Sequence, residues 1–398
     1  MIDFESLYLK MVTQSKNFLE RRIKMKKSLL WVLVLVLSIA MIAVFSLVGC
    51  KAKAAAEEEA APAVEEAAAE EEAAPAVEEE VTPKEGPFTI AMVVKHSGNP
   101  FYEAAEKGCL EALSEFGEGD ELIFQGPEVS TVEGQIEIIE SLITQNVDAI
   151  SIAANDPDAL VPVCKKAMDA GIVVTTWDSS VAPEGRQVFI NQADMEQIGR
   201  IEVQMMADII DYEGQIAILS AGPTMTNQNT WIRWMQEELK DPKYEKVELV
   251  AIVYGMDERE KSYTEAMGLF KSYPDLKGII SPTTVGMGAT GRAIKDAGLV
   301  GKVVLTGLGL PSEMAEYIKE GICPVMALWN PIDLGYLATY VTRLLVSGEI
   351  KGEIGEKFTG GKLGEYEIVD EGNGGKTVLL GPPFKFNAEN IDEWKDVY

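Results

Sequence analysis

From residue 88 onward the chain alternates short, unbroken apolar runs with stretches whose apolar positions recur every three or four residues. The runs are FTIAMVVK (88–95), ELIFQ (121–125), DAISIA (148–153), IVVTTW (172–177), GQIAILS (214–220), VELVAIVYG (247–255), KGIISP (277–282), KVVLTG (302–307) and CPVMALW (323–329). They are rich in β-branched residues, too short for helices, and read as strands. Helical periodicity fills the intervals near 100–117, 131–146, 157–170, 193–211, 227–240, 259–272, 286–297, 311–320 and 332–347. A strand apolar at consecutive positions has both faces covered, which is the pattern of a parallel sheet. Repeated βα units of this length imply doubly wound α/β lobes. Single cores stop growing beyond roughly 250–300 residues. Since 313 residues remain from residue 86, two such lobes are expected.

In doubly wound sheets ligands bind beyond the carboxyl ends of the strands. The polar residues found there are Lys95-His96-Ser97, Asn155-Asp156, Asp178-Ser179, Gly222-Pro223-Thr224, Pro282-Thr283-Thr284, Gly307-Leu308-Gly309 and Trp329-Asn330. Two lobes facing each other would enclose them in an interdomain cleft, a favoured place for a small molecule.

The N-terminal part reads differently. Lys26 and Lys27 precede a charge-free apolar run from Leu29 to Val48 that stops at Gly49 and Cys50, the order of an export signal. The run is long enough to span a bilayer, so a retained helix is the alternative. Leu47-Val48-Gly49-Cys50 resembles the bacterial lipoprotein box, in which the Cys is acylated and becomes the mature N-terminus. Residues 25–49 are therefore expected to be the signal peptide, Cys50 the lipidation site, and residues 1–24 an upstream extension of the reading frame. Residues 50–85 form an Ala/Glu-rich tract broken by Pro62 and Pro75. It holds too few large apolar residues to offset the entropy of ordering, and reads as a tether.

Composition narrows the chemistry. The net charge is −29, and the tract from 51 to 85 contributes twelve Glu against three Lys, so the remainder stays acidic. Nucleic acid is excluded as a partner on that ground. Cys109, Cys164 and Cys323 lie far apart without metal-ligand spacing, and buried free thiols are expected. With His96 the single histidine of the chain, histidine triads and zinc clusters lack raw material. There is no GxxxxGK[ST], no GxGxxG after the first strand and no GxSxG elbow. No cofactor, metal or catalytic residue is assigned. Asp178 could act as a base, but no second acid stands at a convincing position for glycoside hydrolysis.

What remains is the pattern of a sugar site: hydroxyls need paired donors and acceptors, and the C–H faces of the ring pack on aromatics. Lys95 closes the first strand, and Asn99-Pro100-Phe101-Tyr102 opens the first helix. Adjacent helical positions diverge, so one of Phe101 and Tyr102 should turn away from the core. Asp178 follows an apolar strand end, with a turn role as its competing reading. One of Asn227, Gln228 and Asn229 should cap the helix they begin, leaving the others for hydroxyls. Trp231, one turn later, stacks or packs. Asp156 precedes Pro157, which favours helix capping over a ligand role. Trp329-Asn330 precedes Pro331 at the start of a helix and looks like a crossover between lobes. His96 reads as a pocket-wall residue.

At this point the chain resembles a known family, the type I periplasmic sugar-binding proteins, and within it the rhamnose-binding subgroup and its neighbours, the autoinducer-2 binders. The resemblance spans nearly all of 88–398. It is carried by ANDPDAL (154–160), VAPEGRQ (181–187), TNQNTW (226–231), GLGLPSEM (307–314) and WNPIDLGY (329–336). Carried over from the autoinducer-2 binders, the ligand contacts fall on Lys95, Asp178, Asn227 with Gln228, and Pro282 with Thr284. Asn227 replaces an Asp of that pattern, Thr284 an Ala, and Asn330 an Asp, departures that agree with the rhamnose-type strings. The resemblance implies a monomeric, extracytoplasmic receptor that closes on a monosaccharide and docks on ABC transporter permease subunits. It further implies an N-terminal lobe of 86–190 with 329–356, a C-terminal lobe of 191–328 with 357–398, and crossovers near 190, 329 and 356. A signalling or chemotaxis receptor for autoinducer-2 is the alternative. A transcription regulator of the same fold is disfavoured by the export signal and by the absence of a basic helix-turn-helix segment before Phe88.

Overall fold

The computed structural model describes residues 84–398. The expectations for the signal peptide, for Cys50 and for the tether up to residue 83 lie outside the described residues. The strands are β1 (Thr89–Val93), β2 (Glu121–Gln125), β3 (Ala149–Ile152), β4 (Val173–Trp177), β5 (Phe189–Asn191), β6 (Gly214–Ser220), β7 (Val247–Tyr254), β8 (Leu276–Ser281), β9 (Val304–Gly307) and β10 (Val325–Leu328). All but β5 coincide with the apolar runs. A C-terminal series follows: β11 (Lys357–Thr359), β12 (Glu365–Glu367), β13 (Val369–Asp370), β14 (Lys376–Leu379) and β15 (Phe384–Asn387). The helices are α1 (Pro100–Ser114), α2 (Val132–Gln145), α3 (Val161–Asp169), α4 (Met195–Ile209), α5 (Thr226–Glu238), α6 (Arg259–Ser272), α7 (Thr284–Asp296), α8 (Pro311–Lys319), α9 (Pro331–Ser347) and α10 (Ile391–Trp394).

One sheet has seven strands in the order β13-β14-β5-β4-β3-β1-β2, and a second has four, β7-β6-β8-β9. Every pairing in them is parallel except β13 with β14. The continuous hydrophobicity of β1 has the expected cause. Ile90 and Met92 enter one buried cluster, while Ala91 and Val93 enter another on the opposite face. In both sheets the first strand (β1 or β6) is flanked on both sides by its next two strands. The winding direction reverses there, which opens a crevice at the carboxyl ends.

Three segments cross between the sheets. The first follows β5, after which α4 packs on β8 and β9. The second follows β10, after which α9 packs on α1, β3 and β4. The third joins β14 to β15, at 380–383, and this corrects the expected crossover near 356 and the assignment of all of 357–398 to the second lobe. Strand β14 runs parallel to β5 in the seven-stranded sheet, and only β15, paired antiparallel with β10, and α10, packed on α8, reach the other side. The physical reason is an open edge. Without β14, β5 would present unpaired backbone groups, and the third crossover then runs beside the first, with the Leu380 and Gly381 amides donating to the Asn191 and Gln192 carbonyls.

One buried group sets a pH dependence. Glu202 on α4 is fully buried and neither carboxylate oxygen meets a hydrogen-bond partner. Burial pushes its pKa well above the usual carboxyl range. A carboxyl raised by folding contributes stability that is complete below its unfolded pKa and is lost as pH climbs toward the folded one. Glu202→Gln, uncharged throughout, should therefore match the parent near pH 4 and exceed it at pH 8 in urea unfolding. An offset that does not vary with pH would refute this account.

Candidate functional site

The carboxyl ends of the two sheets converge on one cavity, lined by Lys95, Asn99, Phe101, Tyr102, Asp178, Asn227, Gln228, Trp231, Asp257, Pro282, Thr283, Thr284, Leu308, Leu328 and Trp329. Local sequence explains the placement of the first group. Lys95 lies just beyond β1, and Asn99 caps α1 by accepting from the Phe101 amide, with Pro100 at the first helical position. The expectation that one of Phe101 and Tyr102 turns away is not met. Both are buried and both line the cavity, because the wall beside the start of α1 is continuous with the core. Asp178 has left-handed backbone, φ 58, a region Asp tolerates. The turn and the cavity-facing carboxylate are thus the same feature.

The polar groups form one buried network across the cleft. The Lys95 ammonium lies 3.2 Å from Asp178 Oδ2 and donates to Asn227 Oδ1 at 3.1 Å. The Tyr102 hydroxyl donates to Asp178 Oδ2 at 2.9 Å, and Asn227 Nδ2 donates to Asp178 Oδ1 at 3.2 Å. Burial, with the adjacent Asp178 charge, pushes the Tyr102 phenol far up, so it stays a donor. Asn227 uses both ends of its amide, accepting from Lys95 and donating to Asp178. A carboxylate there would have no proton to donate to Asp178.

Around this network stand rings. Tyr102 meets Trp177 edge-on at 5.5 Å, Phe101 meets Trp329 at 6.2 Å, and Trp231 lies 5.8 Å from Trp329. Two buried polar atoms on cavity-lining residues, Gln228 Oε1 and Trp329 Nε1, have no partner within the protein. One is an acceptor and the other a donor. Buried groups left in that condition are costly, and both atoms are free to pair with a molecule held in the cavity.

Two expected ligand residues lie elsewhere. Asp156 is not among the lining residues, and its Oδ1 accepts the amides of Asp158 and Ala159. Asn330 caps α9, accepting the Ile332 amide and donating to Asp333. In both, local backbone amides hold the side chain, for Asp156 in the turn before α3 and for Asn330 at the start of α9. None of Asn227, Gln228 and Asn229 caps α5. Met225 occupies that position without a side-chain bond, and Asn229 donates to the Gly222 and Met225 carbonyls instead. His96 does not line the cavity. Asp257, Thr283, Leu308 and Leu328 do and were not singled out. Leu308 and Thr283 stood in the strand-end strings, whereas Asp257 lies beyond the β7 run and gave no local signal. Cys109, Cys164 and Cys323 are buried and free, and burial pushes the Cys109 and Cys164 thiols up to about 12.

Comparison with known proteins agrees with this geometry. A solute-binding protein of an ABC transporter from Clostridium phytofermentas, solved with bound L-rhamnose, is 42% identical, covers 79% of this chain and 99% of its own, and superposes with a TM-score of 0.76. LsrB from Clostridium saccharobutylicum, in complex with AI-2, is 25% identical over 77% of this chain and 99% of its own, with a TM-score of 0.73. A D-ribose/D-allose-binding protein of Pseudomonas aeruginosa is 29% identical over 240 residues, 58% of this chain and 74% of that protein. Residues 90–350 match the family model described as a periplasmic binding protein domain. Taken with two parallel sheets meeting at a cavity between their carboxyl ends, these matches make the chain a member of the periplasmic binding protein family, of the type I fold.

Proposed function

We propose that this chain is the sugar receptor of an ABC transporter, that it captures L-rhamnose or a closely related 6-deoxyhexose between two lobes, and that it hands the sugar to the permease. The observation that carries the reading is the cavity itself. It lies between the carboxyl ends of the two sheets, ringed by Phe101, Tyr102, Trp231 and Trp329, and is supplied with one ion pair and two unpartnered polar atoms. Asp178, Asn227, Gln228 and Lys95 take the hydroxyls, and the rings take the C–H faces and the methyl group. The L-rhamnose-bound relative supports the choice of sugar.

In this reading the first lobe is the seven-stranded sheet with α1 and α9, and the second is the four-stranded sheet with β10 and β15. Ligand contacts from both sides favour the closed arrangement. The protein performs no reaction, works as a monomer, and is held at the outer face of the cell membrane through an acylated Cys50. Among the described residues no helix is long and apolar enough to cross a membrane.

A second reading, a receptor for autoinducer-2, is favoured by Lys95, Asp178, Gln228 and Pro282 all meeting in the cavity. The neutral amide of Asn227 supports the sugar. Calorimetric titration of the purified chain with L-rhamnose, D-ribose, D-allose and autoinducer-2 separates the two. Rhamnose should bind tightest, and exclusive binding of autoinducer-2 would transfer the protein to the second reading.

A further inference from the structure

His96 is the single histidine of the chain, and its ring spans the cleft outside the cavity. It follows β1 on one side, and its Nε2 lies 3.2 Å from Oδ2 of Asp257, which follows β7 on the other. Its Nδ1 lies 3.1 Å from the Ser97 carbonyl. Both ring nitrogens therefore face acceptors, and only an imidazolium donates from both. Asn99 Nδ2, 3.4 Å from both the ring Nε2 and the carboxylate, donates to the carboxylate.

Asp257 is held with unusual care. Met256 and Asp257 both have left-handed backbone, φ 56 each, a conformation rare for Met that persists only where the surroundings impose it. The Gly255 and Met256 amides are anchored to the Ser220 and Ala221 carbonyls, which fixes the loop on β6. The carboxylate accepts a hydrogen bond from the Thr283 hydroxyl on its own side. It is buried and lines the cavity.

We propose that His96 and Asp257 form an interlobe latch made by the imidazolium, so that closure of the cleft on its ligand takes up a proton. This rests on the reading of the cavity as a ligand site between lobes that open. The charged groups facing the ring are Asp257 from the β7 side and Lys95 from the end of β1. Burial lowers the basicity of the ring and Lys95 lowers it further, but the hydrogen bond and charge of Asp257, with the Ser97 carbonyl, outweigh both, and the net shift is upward. The Asp257 carboxyl moves down: burial opposes this, and His96, Thr283 and Lys95 prevail. A histidine raised by closure favours the closed form fully below its open-state value. That contribution is lost as pH rises through the closed-state value.

Two measurements decide the matter. The imidazole C–H signal of the purified chain, unambiguous with one histidine, is titrated by NMR with and without L-rhamnose, in the parent and in Asp257→Asn. Asn tolerates the left-handed backbone, so the loop is retained. The parent should titrate above free histidine, most clearly with sugar, and Asp257→Asn should bring the midpoint down. Equal midpoints in the two proteins under both conditions would overturn the latch. Calorimetry in buffers of high and low ionisation enthalpy near pH 7 should show net proton uptake on binding and an affinity that falls as pH rises, both abolished in His96→Gln. Binding without proton uptake overturns the latch and leaves the receptor reading intact. Absence of sugar binding at any pH defeats the receptor reading, and the NMR midpoints still decide the latch.

Discussion

Asp178→Asn should weaken capture of L-rhamnose by roughly two to three orders of magnitude while leaving the thermal stability of the chain close to the parent's. The substitution keeps size and tolerates the left-handed backbone at φ 58, so the loss is one of charge and hydrogen-bond polarity. Asp178 receives donors on both oxygens: Lys95 and Tyr102 at Oδ2, Asn227 at Oδ1. An amide offers one acceptor and one donor, so in either orientation its NH₂ opposes another donor. Lys95, 2% exposed, then loses the carboxylate it pairs with directly. Removing one partner of a buried ion pair costs about 3–5 kcal/mol, and each 1.4 kcal/mol is a factor of ten in affinity. Because the open cleft gives water back to Lys95, most of this cost falls on closure and hence on binding. Calorimetry is the check. An affinity within threefold of the parent would remove Asp178 from the site.

The largest effect on stability is expected at Gly108. Helices α1 and α9 approach so closely that a Cβ at Gly108 would overlap the Ile332 carbonyl oxygen and stand 2.8 Å from the Tyr336 amide, and one at Gly335 would overlap the Ala105 carbonyl oxygen. These obstacles are backbone, which cannot rotate away, so Gly108→Ala must separate the helices. Overpacking of this kind costs about 3 kcal/mol, and the melting temperature should fall by several degrees. Gly268 on α6 supplies the contrast. A Cβ at Gly268 would meet nothing within 4 Å, and the backbone there is not left-handed, so Gly268→Ala should be neutral or stabilising by about 0.5–1 kcal/mol. If Gly108→Ala instead matched Gly268→Ala, helix propensity and not contact between α1 and α9 would govern both.

The pattern of apolar positions carried most of the fold, and particular failures show where its reach ended. Strands β1 to β4 and β6 to β10 were legible because strands buried on both faces read as unbroken apolar runs. Strand β5 has only three residues, Phe189–Asn191, too few for a period to register. The tail shows the other limit. Nothing local in KTVL, Lys376–Leu379, says that its partner is β5, some 190 positions earlier in the chain.

The site divides in the same way. Lys95, Asp178, Pro282 and Trp329 were legible because a doubly wound sheet places strand ends on one face, so position along the chain translates into position in the cleft, and Asn227 and Gln228 because they open the helix that follows β6. Asp156 and Asn330 also follow strand ends, yet their side chains hold nearby backbone amides, Asp156 in the turn before α3 and Asn330 at the start of α9. Capping and ligand contacts draw on the same residue types, so sequence can favour a cap, as at Asp156, without excluding the other role.

By itself, then, the sequence determined the class of fold, the strand ends that meet and the chemistry offered there, since burial, periodicity and capping are local properties of the chain. Only the tertiary structure decided which strand covers the open edge of β5, which strand-end side chains reach the cavity, and that His96 and Asp257, 161 positions apart, face each other across the cleft. Those outcomes depend on how two sheets approach one another, and no local preference of either segment encodes that approach.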